Sequence, residues 1–118
     1  ASDIAVFTYE KRHVDDIVHA LAADGIKATA VGSNTAEEKL GDTVRVMTMH
    51  RAKGLEYRGV VLARLGEDDF PPAYIARKKG DDLERELKKL RSVLYVAGSR
   101  ARERMAVTYV GEPARILT

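Results

Sequence analysis

The chain has 118 residues, 45% hydrophobic and 32% charged, with a formal net charge of +2 and no cysteine. This length builds one domain around one core and is too short for two; the composition is that of a globular protein, not of a disordered tail. Disulfides and thiolate metal sites are excluded, the three histidines (His13, His19 and His50) are too scattered to hold a metal, and no apolar run nears the ~20 residues that span a bilayer. Residues 1–5 lack the basic-then-apolar layout of a signal peptide, so a cytoplasmic address is the expectation.

Taken in chain order, residues 4–8 form a short apolar run that reads as a buried strand. Val14, Ile17, Val18 and Leu21 then recur at helical spacing and predict a helix over 11–23, with Gly25 placed for a left-handed C-terminal cap. Residues 28–31 read as a second strand, so the opening is strand–helix–strand, the unit that builds parallel sheets. The polar stretch 33–42 is a connector. Residues 44–49 and 59–65 are apolar strands, the second continuous enough for a sheet covered on both faces. An acidic turn follows at 67–72. From Asp81 the stripe Leu83, Leu87, Leu90, Leu94 and Ala97 predicts a long core-facing helix, capped by Asp81 or Asp82 and ending at Gly98. Residues 106–110 form the last strand. Strands alternating with helices predict an α/β fold with a mostly parallel sheet and helices on both faces.

Basic residues gather at Arg51, Lys53 and Arg58 and again at Arg100, Arg102 and Arg104. Such clusters suit phosphate binding, although on charge alone a solvated mixed surface is the plainer reading. The stretch VRVMTMHRAKGLEY, residues 44–57, is the most informative. An apolar strand runs directly into Thr48, His50, Arg51, Lys53, Gly54 and Glu56, and open α/β sheets bind ligands beyond the carboxyl ends of their strands. Gly54 would let backbone approach a ligand, with nearby amides at a helix start available to an anion. Thr48, His50 and Lys53 offer donors to phosphate oxygens, and Glu56 an acceptor for sugar hydroxyls. By spacing alone, a polar strand-to-helix turn carrying one histidine outweighs the ligand site.

The same stretch, continued as VRVMTMHRAKGLEYRGVVL, resembles motif V of superfamily 1 helicases of the UvrD/Rep/PcrA type. LRSVLYVAGSRARERMAVTY resembles their motif VI, GEDDFPP the loop after motif V, and IAVFTYEKRHVDDIVHALAADGI their motif IV region. These matches cover most of the chain in family order. The resemblance implies that residues 1–118 are a single RecA-like domain, the C-terminal motor domain of an ATP-dependent DNA helicase or translocase. It implies that Glu56, with Gly54, contacts the nucleotide, that Thr48 and His50, with Lys53, touch single-stranded DNA, and that Arg100 reaches the γ-phosphate. Read without the resemblance, Arg100 is a solvated arginine past a helix end. Tyr95, where the family also has tyrosine, is expected to pack with its hydroxyl at the rim; Arg102 and Arg104 are expected to face solvent.

Three departures matter. Tyr9 stands where the resemblance places an arginine expected to serve the γ-phosphate. Only residues 33–42 occupy the place where these helicases carry a large inserted domain. Gly54 and Gly59 have the spacing of a phosphate loop, but Val60 and Val61 follow in place of its lysine and hydroxyl. ATP with Mg2+ is therefore expected to be held mainly by an N-terminal P-loop RecA-like domain absent from this chain, which becomes a partner alongside single-stranded DNA. The alternative is a non-catalytic module that docks DNA or a protein, which Tyr9 favours.

Overall fold

The computed structural model describes residues 3–32 and 40–115. Its strands are β1 (Ile4–Thr8), β2 (Ala28–Ala30), β3 (Val44–Thr48), β4 (Tyr57–Leu62) and β5 (Ala101–Val107); its helices are α1 (Arg12–Ala23), α2 (Ala73–Ala76) and α3 (Gly80–Gly98). The strands form one sheet in the order β2-β3-β1-β4-β5, and every neighbouring pair is parallel.

The two faces follow from the alternation of side chains along each strand. Val6, Val44 and Val46 point to one face, where Val14, Ile17, Val18 and Leu21 of α1 cover them. Ala5, Phe7, Met47 and Leu62 point to the other, against α3. Helices thus cover both faces of a parallel sheet, as the apolar periodicity required. Leu90 and Ala97 are the fully buried members of the α3 stripe, while Leu83, Leu87 and Leu94 pack against the core from its margin. Met47 and Met49 are both core residues.

Several boundaries differ from expectation. α3 begins at Gly80 after an extended Lys79, with no side-chain cap; Asp81 and Asp82 sit inside its first turn, where their charge meets the positive end of the helix dipole. β5 starts at Ala101, well before the expected 106, because backbone pairing with β4 extends to a bond from the Tyr57 amide to the Arg100 carbonyl, 2.9 Å. Its side chains are mostly exposed, so apolarity marked only part of an edge strand. Tyr95 is 77% exposed and does not pack as expected. Gly25 does cap α1 in the left-handed region, at φ 79°. Of the connector expected at 33–42, residues 33–39 lie outside the described residues. No helix among the described residues is long and apolar enough to cross a membrane.

The connection from β3 to β4 positions the site. Only residues 49–56 join them, beginning with one 3-10 turn, Met49–Arg51. β3 and β4 are parallel to β1 between them, so this segment must return from the carboxyl edge of the sheet to its amino edge. It does so across the α3 face, anchored by buried Met49 and Ala52 and partly buried Leu55.

Candidate nucleotide and nucleic-acid site

At the carboxyl edge, Thr48 ends β3 in register with Thr8 of β1. His50 follows in the 3-10 turn and is exposed, its ring 4.9 Å from that of Tyr9 and tilted by 52°. The Tyr9 ring in turn meets Phe70 edge-on at 5.5 Å. Burial, then the charge and hydrogen bond of Tyr74, then Glu86 and Glu10, push the Tyr9 phenol up to about 12. It therefore stays a neutral hydroxyl at physiological pH, built into an aromatic cluster that sequence reasoning did not foresee. Tyr9 had been marked only as a departure.

At the amino edge, Glu56 immediately precedes β4 and Arg100 immediately precedes β5. The Arg100 guanidinium donates to the Val96 carbonyl at 3.1 Å and, at the limit of bonding, to the Leu55 carbonyl at 3.5 Å. It has no carboxylate partner among the described residues. Glu56 faces solvent and pairs with Arg102 at 3.4 Å, each side chain more than half exposed. An ion pair so exposed contributes about 0–1 kcal/mol, so a sugar hydroxyl can displace it at small cost.

A groove of about 410 Å³ connects the two edges, lined by His50 and Lys53 of the crossover and by Ser92, Val93, Val96 and Arg100 at the end of α3. His50, Lys53 and Arg100 thus share one surface. Thr48 does not share it. It lines a different cavity, toward α1, with Lys11 and Arg51, because strand alternation turns it to the opposite face from Met47. No helix starts at Gly54. That residue occupies a turn at φ 80° with nothing within 4 Å of where a Cβ would stand, so the expected anion cradle at a helix N-terminus is replaced by an open left-handed turn. Glycine is needed there for its conformation.

Sequence reasoning placed Arg51 in a basic cluster but gave it no role of its own, and its Nε is buried without a partner; it missed His13. His13 is buried beside Glu10; burial and then Arg64 lower its pKa from the usual 6.5. Its position on the apolar stripe, one residue before Val14, was the available signal. Among the described residues no group of three or more histidines, cysteines or carboxylates could hold a metal ion.

Residues 27–112 match the family model described as UvrD-like helicase C-terminal domain. The chain is 35% identical over 85 residues to a "Probable DNA helicase II homolog" of Mycoplasma capricolum, covering 72% of this chain and 11% of that protein. It is 37% identical over 68 residues to DNA helicase II of Escherichia coli K12, covering 58% and 9%. It is 38% identical over 66 residues to the ATP-dependent DNA helicase PcrA of Staphylococcus aureus, covering 56% and 9%. The chain therefore spans about a tenth of the length of these relatives. Among solved structures, the C-terminal domain of a possible DNA helicase from Lactobacillus plantarum WCFS1 superposes with a TM-score of 0.74 at 22% identity, over 98% of this chain and 61% of that one. At that identity the likeness shows the fold.

Proposed function

The chain belongs to the UvrD-like helicase C-terminal domain family, and on that premise we propose that residues 1–118 form the second, RecA-like motor domain of an ATP-dependent DNA helicase or translocase. In this reading the chain completes an ATP site held mainly, with Mg2+, by a P-loop domain of the same protein, and it grips single-stranded DNA. The observation that carries the reading is the position of Glu56 and Arg100 at the starts of two neighbouring strands, on one edge of the sheet, with the Arg100 guanidinium free of any carboxylate among the described residues.

The chemistry follows from charge. Phosphoryl transfer spreads negative charge over the equatorial oxygens, and an inserted guanidinium typically contributes ~10³–10⁵ in rate. An arginine whose present partners are neutral backbone carbonyls keeps its full charge for that purpose. Glu56, an acceptor repelled by phosphate, suits the ribose, and the left-handed turn at Gly54 leaves backbone accessible beside it. His50 and Lys53 offer donors to the DNA backbone along the groove, and Thr48 offers a hydroxyl on the other side of the same sheet edge. The donor set on this chain fits completion of a nucleotide site and not its core, because Val60 and Val61 stand where a phosphate loop needs lysine and hydroxyl.

The test is reconstitution. The chain is combined with a P-loop domain of the same protein, and phosphate release is followed with and without single-stranded DNA. Turnover that requires both domains and rises with DNA supports the motor. Its absence, with both domains folded and associated, favours the second reading, a docking module. Tyr9 is the residue that favoured the module. It stands beside His50, and its identity bears on the nucleic-acid end of the groove and not on the Arg100 end.

A further inference from the structure

A cavity of about 280 Å³ opens at the carboxyl edge on the α1 side of the sheet. Lys11 at the start of α1, Thr48 at the end of β3 and Arg51 in the 3-10 turn line it, with Asp15 of α1 and the backbone at Gly32. Among the described residues, two cations therefore face one carboxylate. Arg51 is partly buried, its Nε is inaccessible and unpartnered, and neither its guanidinium nor the Lys11 ammonium has a hydrogen bond or ion pair among the described residues. Beneath them Thr8, in register with Thr48, is fully buried with an unpartnered hydroxyl.

A buried donor without an acceptor costs about 1–3 kcal/mol, and here one such donor, the Arg51 Nε, belongs to a lining residue near the exposed Lys11 ammonium. The amino end of α1 adds the positive end of a 12-residue helix dipole, although its His13 and Val14 amides already donate to the Glu10 and Lys11 carbonyls. Among the lining side chains, Arg51, Lys11 and Thr48 suit an acceptor-rich anion and not a cation or an apolar group. We propose that the cavity binds a phosphate group, with Arg51 as the principal donor and Lys11 and Thr48 beside it. This extends the nucleic-acid reading above and rests on it for the source of the phosphate: a strand passing His50 on one side of the edge would set a backbone phosphate in this cavity on the other. Free phosphate has the same chemistry.

The experiment is a nitrogen-15 NMR titration of the chain that follows the Arg51 Nε–H signal together with the backbone amides of Thr48 and His50. One arm uses a short oligodeoxythymidylate, the other inorganic phosphate. Movement of the Arg51 signal with the oligonucleotide is the expected result. In binding measurements against salt, Arg51→Gln then lowers the slope by about one, as loss of a single phosphate contact does, while Arg51→Lys keeps it. Lys11→Gln, on an exposed side chain, carries the same slope test should Arg51→Gln lose its fold. Movement with inorganic phosphate alone upholds the phosphate site and removes DNA as its source. An Arg51 signal unmoved in both arms, while His50 and Thr48 respond to the oligonucleotide, overturns the site and leaves the DNA reading standing. If nothing moves in either arm, both fall.

Discussion

Arg100→Ala separates the catalytic reading from a structural one, because the two predict effects of different size. The side chain makes one good hydrogen bond, to the Val96 carbonyl at 3.1 Å, and one marginal bond, to the Leu55 carbonyl at 3.5 Å. The Val96 carbonyl also accepts from the Ser99 hydroxyl at 2.8 Å, so it keeps a partner when the guanidinium is gone. The structural loss is therefore that of about one hydrogen bond, roughly 0.5–1.5 kcal/mol, a shift of a few degrees in Tm for a domain of this size. Loss of a guanidinium from a phosphoryl-transfer site costs ~10³–10⁵ in rate, about 4–7 kcal/mol of barrier at ~1.4 kcal/mol per decade. The assays are DNA-stimulated phosphate release by the parent protein and thermal melting of the chain. Turnover is expected to collapse with melting almost unchanged, and Arg100→Lys is expected to recover little, since it lacks the planar fork. Turnover within twofold of the original at equal folded fraction would remove Arg100 from the chemistry. A drop of many degrees would make it a structural strut.

Other substitutions probe the scaffold and the carboxyl edge. Leu90→Ala, at the most buried leucine of the α3 stripe, should cost about 2–5 kcal/mol, read as a lower urea midpoint at unchanged slope. Gly54→Ala meets no atom but must hold φ 80°, so it should cost about 1–2 kcal/mol and Gly54→Asn less, by the same unfolding assay. The Tyr9 phenol titrates at about 12 in the folded chain against an ordinary 10.0. The unfolded state therefore loses its proton first, and stability that is complete below the ordinary value falls as pH rises through the folded one; Tyr9→Phe should flatten that alkaline slope. Tyr9→Arg, which restores the residue the family resemblance calls for, should change DNA affinity and leave nucleotide KM where it was. A change in KM alone would contradict the placement of Tyr9 at the nucleic-acid edge.

What the sequence disclosed was set by periodicity. Strand apolarity and the two helical stripes, Val14 to Leu21 and Leu83 to Leu94, were enough to give a parallel sheet covered on both faces, because those patterns exist only to bury those faces. β5 was legible only in part, since as an edge strand it owes its position to backbone pairing with β4 and keeps charged side chains such as Arg102, Glu103 and Arg104 exposed. Asp81 and Asp82 looked like caps, yet the helix begins before them. The motif resemblance singled out Glu56, Arg100, Thr48 and His50 as candidates but not their arrangement. Nothing in MHRAKGLE announces that no helix follows the strand, and Tyr9 could not be paired with His50, since they meet only because β1 and β3 are neighbours.

That missing helix has a consequence for how the site is divided. Residues 49–56 carry His50 at one end and Glu56 at the other, and because the segment returns to the amino edge without a helix, eight residues traverse the sheet. The two ends are separated by the length of β4, about 20 Å at ~3.3 Å per residue, farther than any side chain reaches. Neither His50 nor Glu56 can then serve both nucleotide and strand. Substitutions at Glu56 or Arg100 should alter turnover and nucleotide dependence, and those at Thr48, His50 or Arg51 should alter affinity for the strand and its salt dependence. Lys53, which lines the groove together with His50 and Arg100, is the position at which the two kinds of effect should overlap.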